Sequence, residues 1–138
     1  MDNQKSKRLE RYRQKIRFAA GKIAGIIEEP DNQTETDASL YRVQTAIEAV
    51  MDTIAMLVKD KGQEVSDDYS NIHILQKCGT LTKREAEKMS ELNGLRNAIV
   101  HKYNTFEEST VIESLGEIRQ AVEKFLEKAE HESEKILG

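Results

Sequence analysis

The chain is 138 residues long, carries 25 acidic against 21 basic side chains for a formal charge of −4, and has one cysteine, one proline and no tryptophan. That size suits a single domain over residues 1–138 with a modest core; the regular apolar residues exclude disorder over most of it, and a lone Cys78 excludes an intrachain disulfide framework. No apolar run reaches the length of a membrane span and no signal peptide stands at the start, so the chain reads as cytoplasmic, with no membrane partner.

Ala, Leu, Ile, Glu and Lys dominate, so the fold class reads as all-α, an antiparallel bundle of about five helices. The first helix is expected over residues 5 to 28, where Leu9, Tyr12, Ile16, Ala19, Ile23 and Ile26 recur at spacings of three and four. Pro30 stops it, because the residue before a proline avoids the helical region. Residues 1 to 22 also hold Lys5, Lys7, Arg8, Arg11, Arg13, Lys15, Arg17 and Lys22 against only Asp2 and Glu10. Such a patch can steer a phosphate backbone even on an acidic protein; it can equally be the solvated face of a helix attracted to acidic neighbours.

A second helix is expected from residue 37 to 60, with Leu40, Val43, Ile47, Val50, Ile54 and Leu57 as the cleanest apolar stripe in the chain. Ala46, Met51, Ala55 and Val58 broaden that stripe and put this helix at the centre of the bundle. Glu48 and Asp52 lie one turn apart on one face, either as a solvated acidic edge or against a basic group at an interface. Lys61-Gly62 ends the helix; Ser66 is expected to cap a short third one finishing near Lys77, before a break at Cys78-Gly79-Thr80. Thr82-Lys83-Arg84-Glu85 has the spacing of a reciprocal capping box and opens a fourth helix reaching about residue 103. Thr105-Phe106-Glu107-Glu108 repeats that spacing and opens a fifth, with Val111, Leu115, Ile118, Val122 and Phe125 inward and a frayed end beyond Glu132. There is no repeat, no metal-ligand cluster and no glycine-rich phosphate loop, so neither metal nor cofactor is expected.

The fourth helix has two usable faces. At about 100 degrees per residue, Met89, Leu92, Arg96, Ile99 and Tyr103 share one side, so an arginine occupies a core position. Ser90, Gly94, Asn97 and His101 share nearly the opposite side. Gly94 costs a helix roughly 1 kcal/mol and suits close approach by another backbone, which points to a homodimer through this face or to a narrow cleft. On a straight helix Arg96 and His101 point about 140 degrees apart, so they meet through the arginine's reach, a tightened helix end or a two-fold interface. Arg96 fits a buried ion pair with Glu48 or Asp52 as well as an anion-binding role. His101 fits a structural contact at the helix end as well as proton transfer, and Tyr103 fits a boundary aromatic.

Arg96-Asn97-Ala98-Ile99-Val100-His101-Lys102-Tyr103 resembles the Arg-x4-His-x-Tyr motif of the HepT-like toxins, a branch of the small helical HEPN domains. Tyr41 to Asp52 resembles the second-helix segment of that family, and the order of elements extends the likeness over nearly the whole chain. The resemblance implies a HEPN-like bundle and a homodimer serving as the toxin of a type II toxin–antitoxin system. It implies metal-independent cleavage of RNA with Arg96 and His101 as the catalytic pair; Asn97 suits a supporting or substrate-positioning role beside them. It also implies an MntA-like nucleotidyltransferase antitoxin that transfers AMP to Tyr103, while Glu48, Asp52, Ser90 and Gly94 suit ion pairs or the interface. The competing reading is a non-catalytic dimeric module that binds a nucleotide or the nucleotidyltransferase through Arg96 and His101; in a third, these residues only specify an interface.

Overall fold

The computed structural model describes residues 3–101 and 107–138. They form six helices: α1 (Asn3–Ala24), α2 (Gln33–Asp60), α3 (Asp68–Lys77), α4 (Lys83–His101), α5 (Glu108–Glu113) and α6 (Leu115–Leu137). α2 is the hub, packing against α1, α3, α4 and α6, while α1 also packs on α6 and α3 on α4. Val43, Ala46, Ile47, Val50, Ile54, Leu57 and Val58 of α2 are completely buried, which explains why its apolar arc is broader than one stripe. Each fully buried branched side chain contributes roughly 1.5–3 kcal/mol of transfer free energy, so this helix supplies a large share of the core.

The helix ends follow local chemistry. α1 stops at Ala24, four residues before the sequence expectation, because the amides of Gly25 and Ile26 turn back to the carbonyls of Lys22 and Ile23. The guanidinium of Arg42, from α2, packs into the space beside Gly25 that a Cβ would share. α2 begins earlier than expected, at Gln33, because Asn32 Oδ1 accepts from the Glu35 amide at 2.9 Å and Glu35 Oε1 accepts from the Asp31 amide at 3.0 Å. Asp67, rather than Ser66, caps α3: its carboxylate accepts from the Ser70 amide at 2.8 Å, whereas the Ser66 amide donates to Asn71 Oδ1. Positive φ at Gly62 and Gly79 carries the chain out of α2 and α3, at the two breaks read from the sequence.

The capping box at α4 forms as expected, with the Glu85 amide donating to Thr82 Oγ1 at 3.1 Å and Glu85 Oε1 accepting from the Thr82 amide at 2.8 Å. Of the second box, Thr105 and Phe106 lie outside the described residues; α5 starts at Glu108, with Glu107 in the cap position and no side-chain cap bond. The anticipated fifth helix is interrupted at Ser114, whose amide bonds back to Val111, giving α5 and α6 instead of one element. α6 runs on to Leu137, past the point of expected fraying, because Ser133 and Leu137 are buried and Glu132 pairs with Lys61 at 3.4 Å. Among the described residues no helix is long and apolar enough to cross a membrane.

Candidate functional site

α4 presents Met89, Leu92 and Ile99 to the core, and Arg96 interrupts that buried row. The arginine keeps 30% of its side chain exposed by leaving the core sideways toward α2. Its Nε and Nη2 both donate to Glu48 Oε2, at 3.2 and 3.1 Å, and Nη1 donates to Asn97 Oδ1 at 2.8 Å. A guanidinium has five N–H groups, so these bonds leave one hydrogen on each of Nη1 and Nη2 for a further acceptor. A planar cation fixed on one side and open on the other is suited to a phosphate or carboxylate.

The bond to Asn97 bears on the angular separation of Arg96 and His101. Asn97 and His101 stand one turn apart on α4, so Asn97 draws the guanidinium off the core stripe toward the face that carries the imidazole. His101 is the last residue of α4 and is exposed. Of the two acidic candidates on α2, Glu48 takes the arginine; Asp52 faces α1 instead and accepts from Lys15 Nζ at 2.8 Å. Tyr103 lies outside the described residues.

The face carrying Ser90, Gly94 and Asn97 is half-buried rather than open, because α3 packs beside it. Tyr69, His73, Gln76 and Ser90 line a cleft of about 530 Å³ between the two helices. A Cβ on Gly94 would meet only Tyr69 Oη, at 3.6 Å, so no backbone of the described residues demands the glycine.

Asn93 was not anticipated. It is 2% exposed, and its Oδ1 has no hydrogen-bond partner among the described residues, one turn before the Asn97 that holds Arg96. An unsatisfied buried carboxamide is costly and therefore notable. Its signal in the sequence is the spacing Met89, Asn93, Asn97, a row at intervals of four running from the core stripe to the polar face.

A family described as "Ribonuclease HepT-like" matches residues 4–129 of the chain. A relative from Archaeoglobus fulgidus named "Putative RNase" is 39% identical over 129 residues, covering 94% of this chain and 98% of its own. A second so-named protein of the same organism is 40% identical over 118 residues, covering 84% and 89% of the two chains. Among solved structures, a mutant of the toxin–antitoxin pair MntA-HpeT shares the fold with a TM-score of 0.75 at 16% identity, over 85% of this chain and 95% of that one. A tri-AMPylated HEPN toxin from Shewanella oneidensis, in complex with an MNT antitoxin, superposes with a TM-score of 0.67 at 16% identity, over 93% and 97%. The all-α bundle is therefore HEPN-like.

Proposed function

The chain belongs to the HepT-like ribonuclease family, and from that premise we propose that it is the toxin of a type II toxin–antitoxin pair, an endoribonuclease acting in the cytoplasm as a homodimer. The observation that carries this reading is the guanidinium of Arg96, held at three points by Glu48 and Asn97 on the helix that ends in His101. RNA carries its own nucleophile, the 2'-hydroxyl, so the protein has only to move protons and stabilise charge. His101 takes the 2'-hydroxyl proton as the oxygen attacks phosphorus. The P–O5' bond breaks, and the leaving oxygen takes a proton from an imidazolium, for which the partner subunit's His101 is the natural source. Arg96 turns its two remaining N–H groups on the non-bridging oxygens as their negative charge grows. The products are a 2',3'-cyclic phosphate and a 5'-hydroxyl.

The Ser90, Gly94, Asn97 and His101 face supplies the dimer contact in this reading, and Tyr103, two residues beyond His101, is the acceptor of AMP. The solved neighbours named as toxin–antitoxin complexes, one of them tri-AMPylated, support an MntA-like nucleotidyltransferase as the neutralising partner. A phosphodiester at Tyr103 would add an anion able to compete with substrate phosphate for Arg96.

The test is turnover of a 3'-end-labelled RNA by the purified chain, with the product ends identified chemically. His101→Ala should lower kcat by about 10²- to 10⁴-fold while leaving the circular dichroism spectrum intact. EDTA should leave the rate unchanged, because the chemistry proposed here runs on imidazole and guanidinium. Binding without cleavage by the native chain would instead support the non-catalytic module.

A further inference from the structure

The exposed sides of α1 and α2 form one continuous face that the chemistry above does not use. On α1, Arg8, Arg11, Lys15, Phe18 and Lys22 recur at intervals of three and four, within about 80 degrees of arc. On α2, Tyr41, Thr45, Glu48, Asp52, Met56 and Lys59 do the same. The two rows run antiparallel, as the Arg8–Asp60 and Lys15–Asp52 pairs at one end and the Lys22–Tyr41 contact at the other require. Glu48, the residue that fixes Arg96, lies in the α2 row, so this face runs directly into the candidate site.

Its composition is unusual for an acidic protein. Arg8, Arg11, Lys15, Lys22, Lys59 and Arg96 stand against Glu48, Asp52 and Asp60; three ion pairs use Arg8, Lys15 and Arg96, and Arg11, Lys22 and Lys59 remain as the excess positive charge. Phe18 and Tyr41 are 49% and 57% exposed, and Lys22 Nζ sits 5.4 Å from one ring and 5.5 Å from the other. Between the helices lies a cleft of about 470 Å³, bordered by Arg11, Lys15, Phe18 and Met56. Flat rings exposed on a basic row meet the two needs of an unpaired nucleic acid strand, base stacking and phosphate neutralisation. A second copy of the chain fits less well, since a two-fold contact through the α1 row would face like charges against one another.

We propose that the α1–α2 face is the track on which single-stranded RNA lies as it enters the Arg96 site, with Phe18 and Tyr41 stacking bases and Arg11 and Lys22 contacting phosphates. The proposal rests on the ribonuclease reading and assigns these four residues to positioning rather than to chemistry.

The test uses fluorescein-labelled single-stranded RNA, with binding followed by anisotropy on a His101→Ala background and cleavage followed on the otherwise native chain. Phe18→Ala and Tyr41→Ala should each weaken binding by about 5- to 150-fold, the range for loss of one stacked base. They should raise KM with little change in kcat. Phe18→Tyr and Tyr41→Phe, which keep a ring, should restore affinity. Arg11→Gln with Lys22→Gln should flatten the slope of log K against log salt by about 1.4, the share of two single-strand phosphates. Unchanged KM and salt slope in an RNA-cleaving protein would overturn the track and leave the ribonuclease reading standing. Weakened binding in a protein that never cleaves would do the reverse. If the aromatic variants change sedimentation mass or antitoxin capture but not RNA affinity, the face belongs to a protein partner and the proposal fails.

Discussion

Replacing Arg96 separates a catalytic arginine from a structural one, and the geometry sets the size of both effects. The Arg96–Glu48 pair is 30% and 36% exposed in its side chains. A fully buried pair broken on one side costs roughly 3–5 kcal/mol, because the surviving charge is stranded in a dry interior. Here Glu48 retains water, so Arg96→Ala falls in the range of exposed pairs, about 0.2–1 kcal/mol, or a fall in Tm of roughly 5 °C at most. Arg96→Leu should be no worse, since it completes the row of Met89, Leu92 and Ile99. Removing one preorganised donor to a developing oxyanion lowers turnover by about 10²- to 10³-fold, equivalent to about 2.7–4 kcal/mol. Stability and rate should thus respond on different scales. Arg96→Lys, which keeps the charge but loses the planar fork, should remain folded and recover little rate. Thermal melts and single-turnover cleavage of one RNA by all three variants make the comparison. The reasoning is refuted if the loss of rate tracks loss of folded protein, or if a stable Arg96→Leu cleaves like the native chain.

Further outcomes follow from other parts of the bundle. Gly94→Ala meets only Tyr69 Oη at 3.6 Å within the described residues, so it should stabilise the fold by a helix-propensity gain of up to roughly 1 kcal/mol, read as a higher Tm. Gly94→Leu should weaken self-association in sedimentation equilibrium if a second copy closes on this face, and a dimer indifferent to it would remove that interface. Burial pushes the Tyr12 phenol well above its ordinary value, against the opposing pull of Arg8. Because the folded value is the raised one, this stability is present below about pH 10 and is lost as pH rises further, and Tyr12→Phe should flatten the alkaline limb of a Tm–pH curve. Thr82→Ala removes the 3.1 Å cap bond at α4 and should cost about 1 kcal/mol by chemical denaturation. Burial opposes ionisation of Glu85, but hydrogen bonds from Lys128 and Thr82 outweigh it and hold that carboxyl below its ordinary range. Its contribution is therefore complete above the unfolded carboxyl pKa of about 4.3 and fades as pH falls through the lower folded value.

The parts of this molecule legible in the sequence were those governed by near neighbours. The stripe of α2, the Thr82–Glu85 box and the glycine breaks at Gly62 and Gly79 each depend on residues within two turns, and all three are present. The early end of α1 is masked by the apolar period, which runs on through buried Ile26 although the amides of Gly25 and Ile26 already turn back to Lys22 and Ile23. The break at Ser114 was masked by an apolar period that continues across it from Val111 to Leu115 and Ile118.

The choice between Glu48 and Asp52 shows the same boundary at the site itself. One turn of α2 separates them, and periodicity puts both on the same exposed row. What distinguishes them is lateral: α4 lies on one side of that row and α1 on the other, so Glu48 meets Arg96 while Asp52 meets Lys15. No sequence spacing encodes that division, since the partners are 48 and 37 residues away. The consequence is functional as well as structural. Asp52 is charge-compensated from α1 and Glu48 from α4, and the basic row of α1 and the arginine of α4 lie on the same side of the bundle. An acidic chain thereby presents a locally basic surface where its candidate chemistry lies, which its net charge of −4 conceals.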